Sequence, residues 1–202
     1  MSNETETFWA GSFGHEYLQR NRVEWEKRIP FYKTVHDLTK FKSVLEVGCN
    51  AGWNLRAIGK VDAGIELEGC DVNETALIEA EEALPQADLY QVPAREILEF
   101  YGEWSRDLVM TAGLLIHIPE EEILPLMQDI VTVADEFVLA IEYDNPSSEE
   151  IDYRGHTGRL WRRPYGQMYQ ALGLTQILTQ PLGPAEGFGP NCTAWLLRKG
   201  GQ

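Results

Sequence analysis

The chain is short of cysteine, of positive charge and of long apolar runs, and each shortage removes a class of protein. Cys49, Cys70 and Cys192 are its only cysteines. They are odd in number, form no CxxC pair and follow no metal-ligand spacing, so neither a disulfide framework nor a metal site is expected. They read as reduced, mostly buried small apolar residues. No apolar stretch approaches the length of a membrane span, and Met1-Ser2-Asn3-Glu4 lacks the basic-then-apolar order of a secretion signal, which predicts a cytoplasmic protein away from membranes. Lys and Arg number 17 against 32 Asp and Glu, a net charge of -15, so the mean field repels phosphate polymers and anionic membranes. Neither an internal repeat nor a low-complexity tract is present.

What is present suits one globular domain. A chain of 202 residues, 44% hydrophobic and 24% charged, buries most of the surface its unfolded form exposes. After an aromatic arm from Phe8 to Tyr17, residues from about Arg22 to Leu38 have helical spacing interrupted by Pro30, which predicts two short helices. Strands are expected at Ser43–Gly48, Ala63–Asp71, Leu89–Val92, Asp107–Thr111 and Glu136–Glu142. Between them fall helices up to Gly59, at 73–84 with Asn73 as N-cap, at 97–101 and at 120–133. A helix at 165–172 and strands at 175–179 and 193–198 follow, the last two joined by the Pro- and Gly-rich loop 181–190. Alternating strands and helices imply an α/β fold: a mainly parallel sheet covered on both faces, here with an antiparallel hairpin at its edge.

In such a sheet a ligand sits beyond the carboxyl ends of the strands, at the switch point beside the first one. The sequence Val44-Leu45-Glu46-Val47-Gly48-Cys49-Asn50-Ala51-Gly52 ends its strand there, with Gly48 and Gly52 allowing close backbone approach. Asp71, nineteen residues after Gly52, ends the next strand at the distance from which a carboxylate accepts hydrogen bonds from ribose hydroxyls. Asn50 stands where dinucleotide folds place their middle glycine, which favours a cofactor without a pyrophosphate. Read singly, Glu46 is equally a carboxylate satisfying loop amides, and Asp71 equally a helix-entry residue near Asn73.

Glu46, the Gly48/Gly52 loop and Asp71 resemble the first two motifs of class I S-adenosylmethionine-dependent methyltransferases, with a Rossmann-like fold, and the resemblance continues through Asp107 to Pro119. More narrowly, 8–17 with Arg20-Asn21, Gly48-Cys49-Asn50, 113–118, 142–146 and 153–156 look like the methyltransferases associated with pseudaminic acid biosynthesis. The resemblance implies S-adenosyl-L-methionine as cofactor. Gly48, Asn50 and Gly52 would surround its amino acid part, Asp71 its ribose, and Pro93-Ala94-Arg95 would edge the adenine, with Gly113 in the loop lining the transfer pocket. Relatives often carry an acid where Pro93 or Ala94 stands, so a backbone amide would replace it here. Tyr17, Arg20 and Asn21 would close over the cofactor carboxylate. Residues 1–40 then form a lid of arm and helices, and 41–202 the methyltransferase domain, with a substrate-recognition insert at about 143–164.

Methyl transfer needs an aligned nucleophile and, for a hydroxyl or protonated amine, a base. His117 is the candidate base; a histidine packed against Pro119 is the other reading. Glu142 and Tyr143 end the fifth strand, where they would orient an acceptor or cap the sheet. Asn145, Tyr153, Arg154, His156 and Arg159 fall in the insert, where cations beside rings suit an anionic acceptor such as a sugar nucleotide or nonulosonate. These cations equally suit pairing with Glu149, Glu150 and Asp152. Three functions follow: O- or N-methylation of a small anionic molecule; methylation of a base or nucleotide in nucleic acid, disfavoured by net charge; or a non-catalytic cofactor-binding domain. Oligomeric state has no sequence signal.

Overall fold

The computed structural model describes residues 4–21 and 23–200. Arg22, from which a helical stretch is expected, lies outside them, as do 1–3 and 201–202. The strands are β1 (Ser43–Val47), β2 (Glu66–Cys70), β3 (Asp88–Tyr90), β4 (Arg106–Ala112), β5 (Ala134–Tyr143), β6 (Glu149–Glu150), β7 (Trp161–Arg162), β8 (Thr175–Leu182) and β9 (Cys192–Arg198). The helices are α1 (Glu4–Ala10), α2 (Ser12–Arg20), α3 (Ile29–Thr39), α4 (Trp53–Ile58), α5 (Glu74–Ala83), α6 (Ile97–Tyr101), α7 (Glu120–Val133) and α8 (Tyr165–Ala171).

One sheet runs in the order β3-β2-β1-β4-β5-β9-β8. Its first five strands are parallel neighbours, and β9 lies antiparallel between β5 and β8. This is the expected α/β sheet with an antiparallel edge. The strand order reverses at β1, so the loops after β1 and β4 face one crevice.

Side chains alternate across each strand, and the alternation sorts the core into two layers. Leu45, Val47, Val109 and Val138 pack against α7 and α8 through Met127, Ile130, Tyr165 and Tyr169. Val44, Leu108, Met110 and Leu139 pack on the other face against Phe31, Tyr32 and Val35 of α3 and Leu55 and Ile58 of α4. By the same alternation Glu46 falls on the α3 and α4 face, which decides its partners.

Three local expectations change. The arm at 8–17 is helical: α1 and α2 break only at Gly11, and their rings pack on one another rather than into a periodic core face. Pro30 lies in the first turn of α3, where a missing N–H costs nothing, and so starts that helix after a 3-10 turn at Trp25–Arg28. Pro181 and Leu182, expected in a loop, extend β8, because an outer strand tolerates proline. The insert folds a small ribbon of its own, β6 against β7. Among the described residues no helix is long and apolar enough to cross a membrane.

Candidate functional site

At the top of β1 the chain turns through three residues with positive φ: Gly48 at 75°, Asn50 at 49° and Gly52 at 68°. A Cβ on Gly48 would lie 2.9 Å from Leu114 Cδ1, so the loops after β1 and β4 touch only because this position is glycine. Asn50 tolerates the left-handed region better than other residues with a side chain. Asp71 clamps the turn from β2, its Oδ2 accepting from the Asn50 N–H at 2.8 Å and its Oδ1 from the Asn73 N–H at 2.9 Å. Burial raises the Asp71 carboxyl, and those amides oppose the rise.

Glu46 is only 1% exposed. Its Oε1 accepts from Asn54 Nδ2 at 2.6 Å, whereas its Oε2 has no partner. Burial pushes the carboxyl up to about 8. Asn54 is held in turn by Arg28, whose Nη1 donates to Asn54 Oδ1 at 2.6 Å and whose Nε donates to the Gly187 carbonyl at 3.0 Å. The guanidinium also lies 4.4 Å from the Phe188 ring centre. A buried cation and a buried carboxyl with a spare oxygen thus border the same space.

That space is a cavity of about 430 Å³. Of the residues expected at a cofactor site, Tyr17, Glu46, Gly48, Asn50, Asp71, Ala94, Arg95 and Gly113 line it, as does His117. Gly52 does not, because its missing Cβ faces Ala80 of α5 and Leu84 just past its end. Arg20 and Asn21 stay outside the lining: Arg20 pairs with Glu16 at 3.3 Å, and Asn21 Nδ2 donates to the Tyr17 carbonyl at the end of α2. Arg95 pairs with Glu6 of α1 and with Glu96.

The acceptor-side residues divide. His117 is buried, and its Nδ1 lies 2.6 Å from the Arg159 carbonyl, which can only accept. Nδ1 therefore carries the hydrogen and Nε2 the lone pair. Burial lowers the imidazole to about 4, so it is neutral at neutral pH. Trp9 and Tyr153 flank it, ring centres 4.5 and 5.1 Å away. Glu142 is fully buried below this loop and accepts from the N–H groups of Leu114 (3.3 Å), Leu115 (3.2 Å) and Ile116 (3.4 Å). Burial raises it to about 7 despite these bonds. It holds the loop's shape and lies outside the cavity lining, as does half-buried Tyr143, whose hydroxyl is raised by burial.

The insert turns toward the arm. Arg159 reaches Glu4 at 3.6 Å and Thr5 at 3.4 Å and lies 4.9 Å from the Phe8 ring centre. His156 meets Phe8 and Phe13 edge-on at 5.2 and 5.5 Å. Arg154 adopts a φ of 56° in the turn beside Tyr153. Asn145 donates to the Ser147 carbonyl at 2.9 Å within its own loop. Arg163, only 1% exposed, donates to Glu120 at 3.0 Å and to the Leu115 carbonyl at 3.4 Å, fastening the insert to the loop after β4.

Arg28 and Asn54 are the residues that sequence reasoning missed. The available signal was an arginine directly before the apolar face of α3; its target lies 26 residues on. Among the described residues no group of three His, Cys, Asp or Glu could hold a metal.

No protein-family model and no curated protein sequence matches the chain. Solved structures do. A S-adenosylmethionine-dependent methyltransferase from Archaeoglobus fulgidus is 16% identical, with TM-score 0.69, over 93% of this chain and 100% of that one. The 1,6-didemethyltoxoflavin-N1-methyltransferase of Burkholderia thailandensis, solved with 1,6-didemethyltoxoflavin and S-adenosylhomocysteine, is 12% identical at TM-score 0.74, over 98% and 87%. Magnesium protoporphyrin IX methyltransferase of Synechocystis PCC 6803, solved with S-adenosylmethionine, is 16% identical at TM-score 0.68, over 98% and 99%. The fold is the Rossmann-like fold of S-adenosylmethionine-dependent methyltransferases.

Proposed function

We propose that the protein transfers a methyl group from S-adenosylmethionine to an oxygen or nitrogen of a small molecule. The observation that carries this is Glu46, a buried carboxyl whose Oε2 has no partner, at the glycine turn of β1 in this fold. A zwitterionic amino acid fits there: Glu46 Oε2 receives the ammonium, and Arg28 faces the carboxylate. Asp71, with a lone pair left on each oxygen beyond its amide bonds, meets ribose hydroxyls. Ala94, Arg95, Leu114 and Ile118 line the wall that the adenine would use. The cofactor supplies a methyl group already activated by its sulfonium.

The chain's own tasks are then alignment, exclusion of water and removal of a proton. Helices α1 and α2 act as the lid, with Thr5, Glu6, Trp9 and Tyr17 closing the cavity. His117 presents Nε2 as proton acceptor, its ring oriented by the Arg159 carbonyl. Glu142 positions the loop that carries it. The small-molecule acceptor is supported by two of the similar enzymes, which are named for 1,6-didemethyltoxoflavin and magnesium protoporphyrin IX.

Calorimetry with S-adenosylhomocysteine tests the cofactor site. The parent is expected to bind it, with Glu46→Gln and Arg28→Met each weaker by about 10- to 100-fold, the loss expected for a charge-assisted hydrogen bond. A parent chain that takes up neither S-adenosylmethionine nor its demethylated product ends the proposal.

A further inference from the structure

The cations of the insert are engaged within the fold, Arg154 by a side-chain hydrogen bond to Tyr153. Arg159 serves Glu4, Thr5 and the Phe8 ring. Arg163 is buried on Glu120 and the Leu115 carbonyl. His156 packs edge-on against Phe8 and Phe13. Of the cavity's own arginines, Arg95 pairs with Glu6 and Glu96, and Arg28 is bound to Asn54 and the Gly187 carbonyl. Beyond Glu46, which takes the cofactor's ammonium, and Glu6, which is paired with Arg95, the cavity is lined by the acidic Asp71, Glu121, Glu122 and Asp129. With Arg28 given to the cofactor's own carboxylate, a second anion entering this space meets acidic side chains in excess.

The wall around His117 has a different character. Rings from three separate elements line it there: Trp9 from α1, Tyr17 from α2 at 5.4 Å from Trp9, and His117 from the loop after β4 at 4.5 Å from Trp9, while Tyr153 of the insert backs His117 from outside the lining. Flat ring faces bind flat rings best. The carbonyl of Arg159 fixes the hydrogen on Nδ1, so Nε2 accepts a hydrogen bond and offers none. It therefore selects a partner that donates. Resting on the methyl-transfer reading above, we infer that the acceptor is a planar, uncharged aromatic compound bearing a hydroxyl or ring N–H, stacked against Trp9 and donating to His117 Nε2. The acceptor's oxygen or nitrogen takes the methyl carbon, leaving the carbon–sulfur electron pair on sulfur as the thioether. His117 Nε2 takes the displaced proton and passes it to solvent once product leaves.

The test measures binding, so it does not depend on turnover. With the full chain and excess S-adenosylhomocysteine, 2-naphthol and UDP-glucuronic acid are titrated by calorimetry. The naphthol is expected to bind at least about tenfold tighter. Raising salt from about 50 mM to about 500 mM should leave that affinity within about twofold, because no ion pair holds the ligand. Trp9→Leu and Tyr17→Leu should each weaken the naphthol by about fivefold or more, whereas Trp9→Phe retains most of the affinity by keeping a ring. Uptake of S-adenosylhomocysteine is recorded separately for every variant, so its absence in the parent strikes at the cofactor reading itself. Cofactor uptake with tighter binding of UDP-glucuronic acid, or naphthol binding unmoved by both leucine variants, overturns the aromatic acceptor.

Discussion

The cavity has two walls built on different plans. On the side proposed for the cofactor, strand ends and tight turns present backbone groups: the Gly48 turn, the amides clamped by Asp71, and Glu46 two residues before Gly48. On the side proposed for the acceptor, α1 and α2, backed by the insert from outside the lining, present side chains that mostly touch one another, through rings and two ion pairs between α1 and distant arginines. The first wall is rigid because sheet hydrogen bonds define it. The second is held by contacts that each contribute little, so its opening costs far less than unfolding.

The largest expected effect breaks the first wall alone. Gly48→Val demands a φ of 75° from a β-branched residue and drives its Cβ against Leu114, so cofactor uptake should vanish in calorimetry while α1 and α2 keep their hydrogen-exchange protection. Loss of protection at residues 4–20 in that variant would mean the two walls are not separate.

The next prediction follows from Glu46. Its carboxyl is raised by burial to about 8 from 4.5, so the folded chain holds a proton that the unfolded chain has released. Stability without cofactor is therefore greatest below the unfolded value and falls as pH rises from about 5 to about 8, by roughly 4 kcal/mol at the extreme. Glu142, raised to about 7, contributes in the same direction. In urea titrations across that range, Glu46→Gln should show a shallower decline than the parent. Parallel curves would remove the account of Glu46 as a buried, proton-holding carboxyl.

The smallest effect loosens the second wall. Glu6→Gln with Arg159→Met removes ion pairs worth about 0.2 to 1 kcal/mol each. Exchange at residues 4–20 should quicken several-fold while the thermal midpoint moves by only a few degrees. A large fall in that midpoint would show that the lid belongs to the core.

The same division governs what the sequence discloses. The strands and the glycine turn are legible because each is encoded within a few consecutive residues, as at Val44 to Gly48. Gly52 looks like part of the ligand turn but faces α5, since a glycine spaced for a close approach does not reveal what approaches it. Glu142 reads as a residue at the pocket mouth, whereas its carboxylate serves amides 26 to 28 residues earlier. Arg28 is hidden because its role exists only once α3 docks on the sheet. The insert arginines stand out as a cluster, but a short-range reading assigns them to acids such as Glu149 and Asp152, and the fold gives Arg159 to Glu4, 155 positions away by number. The arm's helices escape notice because, although Trp9, Phe13 and Tyr17 recur every four residues, Gly11 and Gly14 interrupt the run and α1 and α2 are only 7 and 9 residues long.

Arg159 ties the loop after β4 to α1. Its carbonyl decides which nitrogen of His117 bears hydrogen, and its guanidinium grips α1, the helix proposed to shut the chamber. In the proposed reaction a half-shut molecule is therefore an idle one: when the door swings, the backbone that tunes the imidazole swings with it, and a reactive methyl group is shielded from wasteful transfer to water.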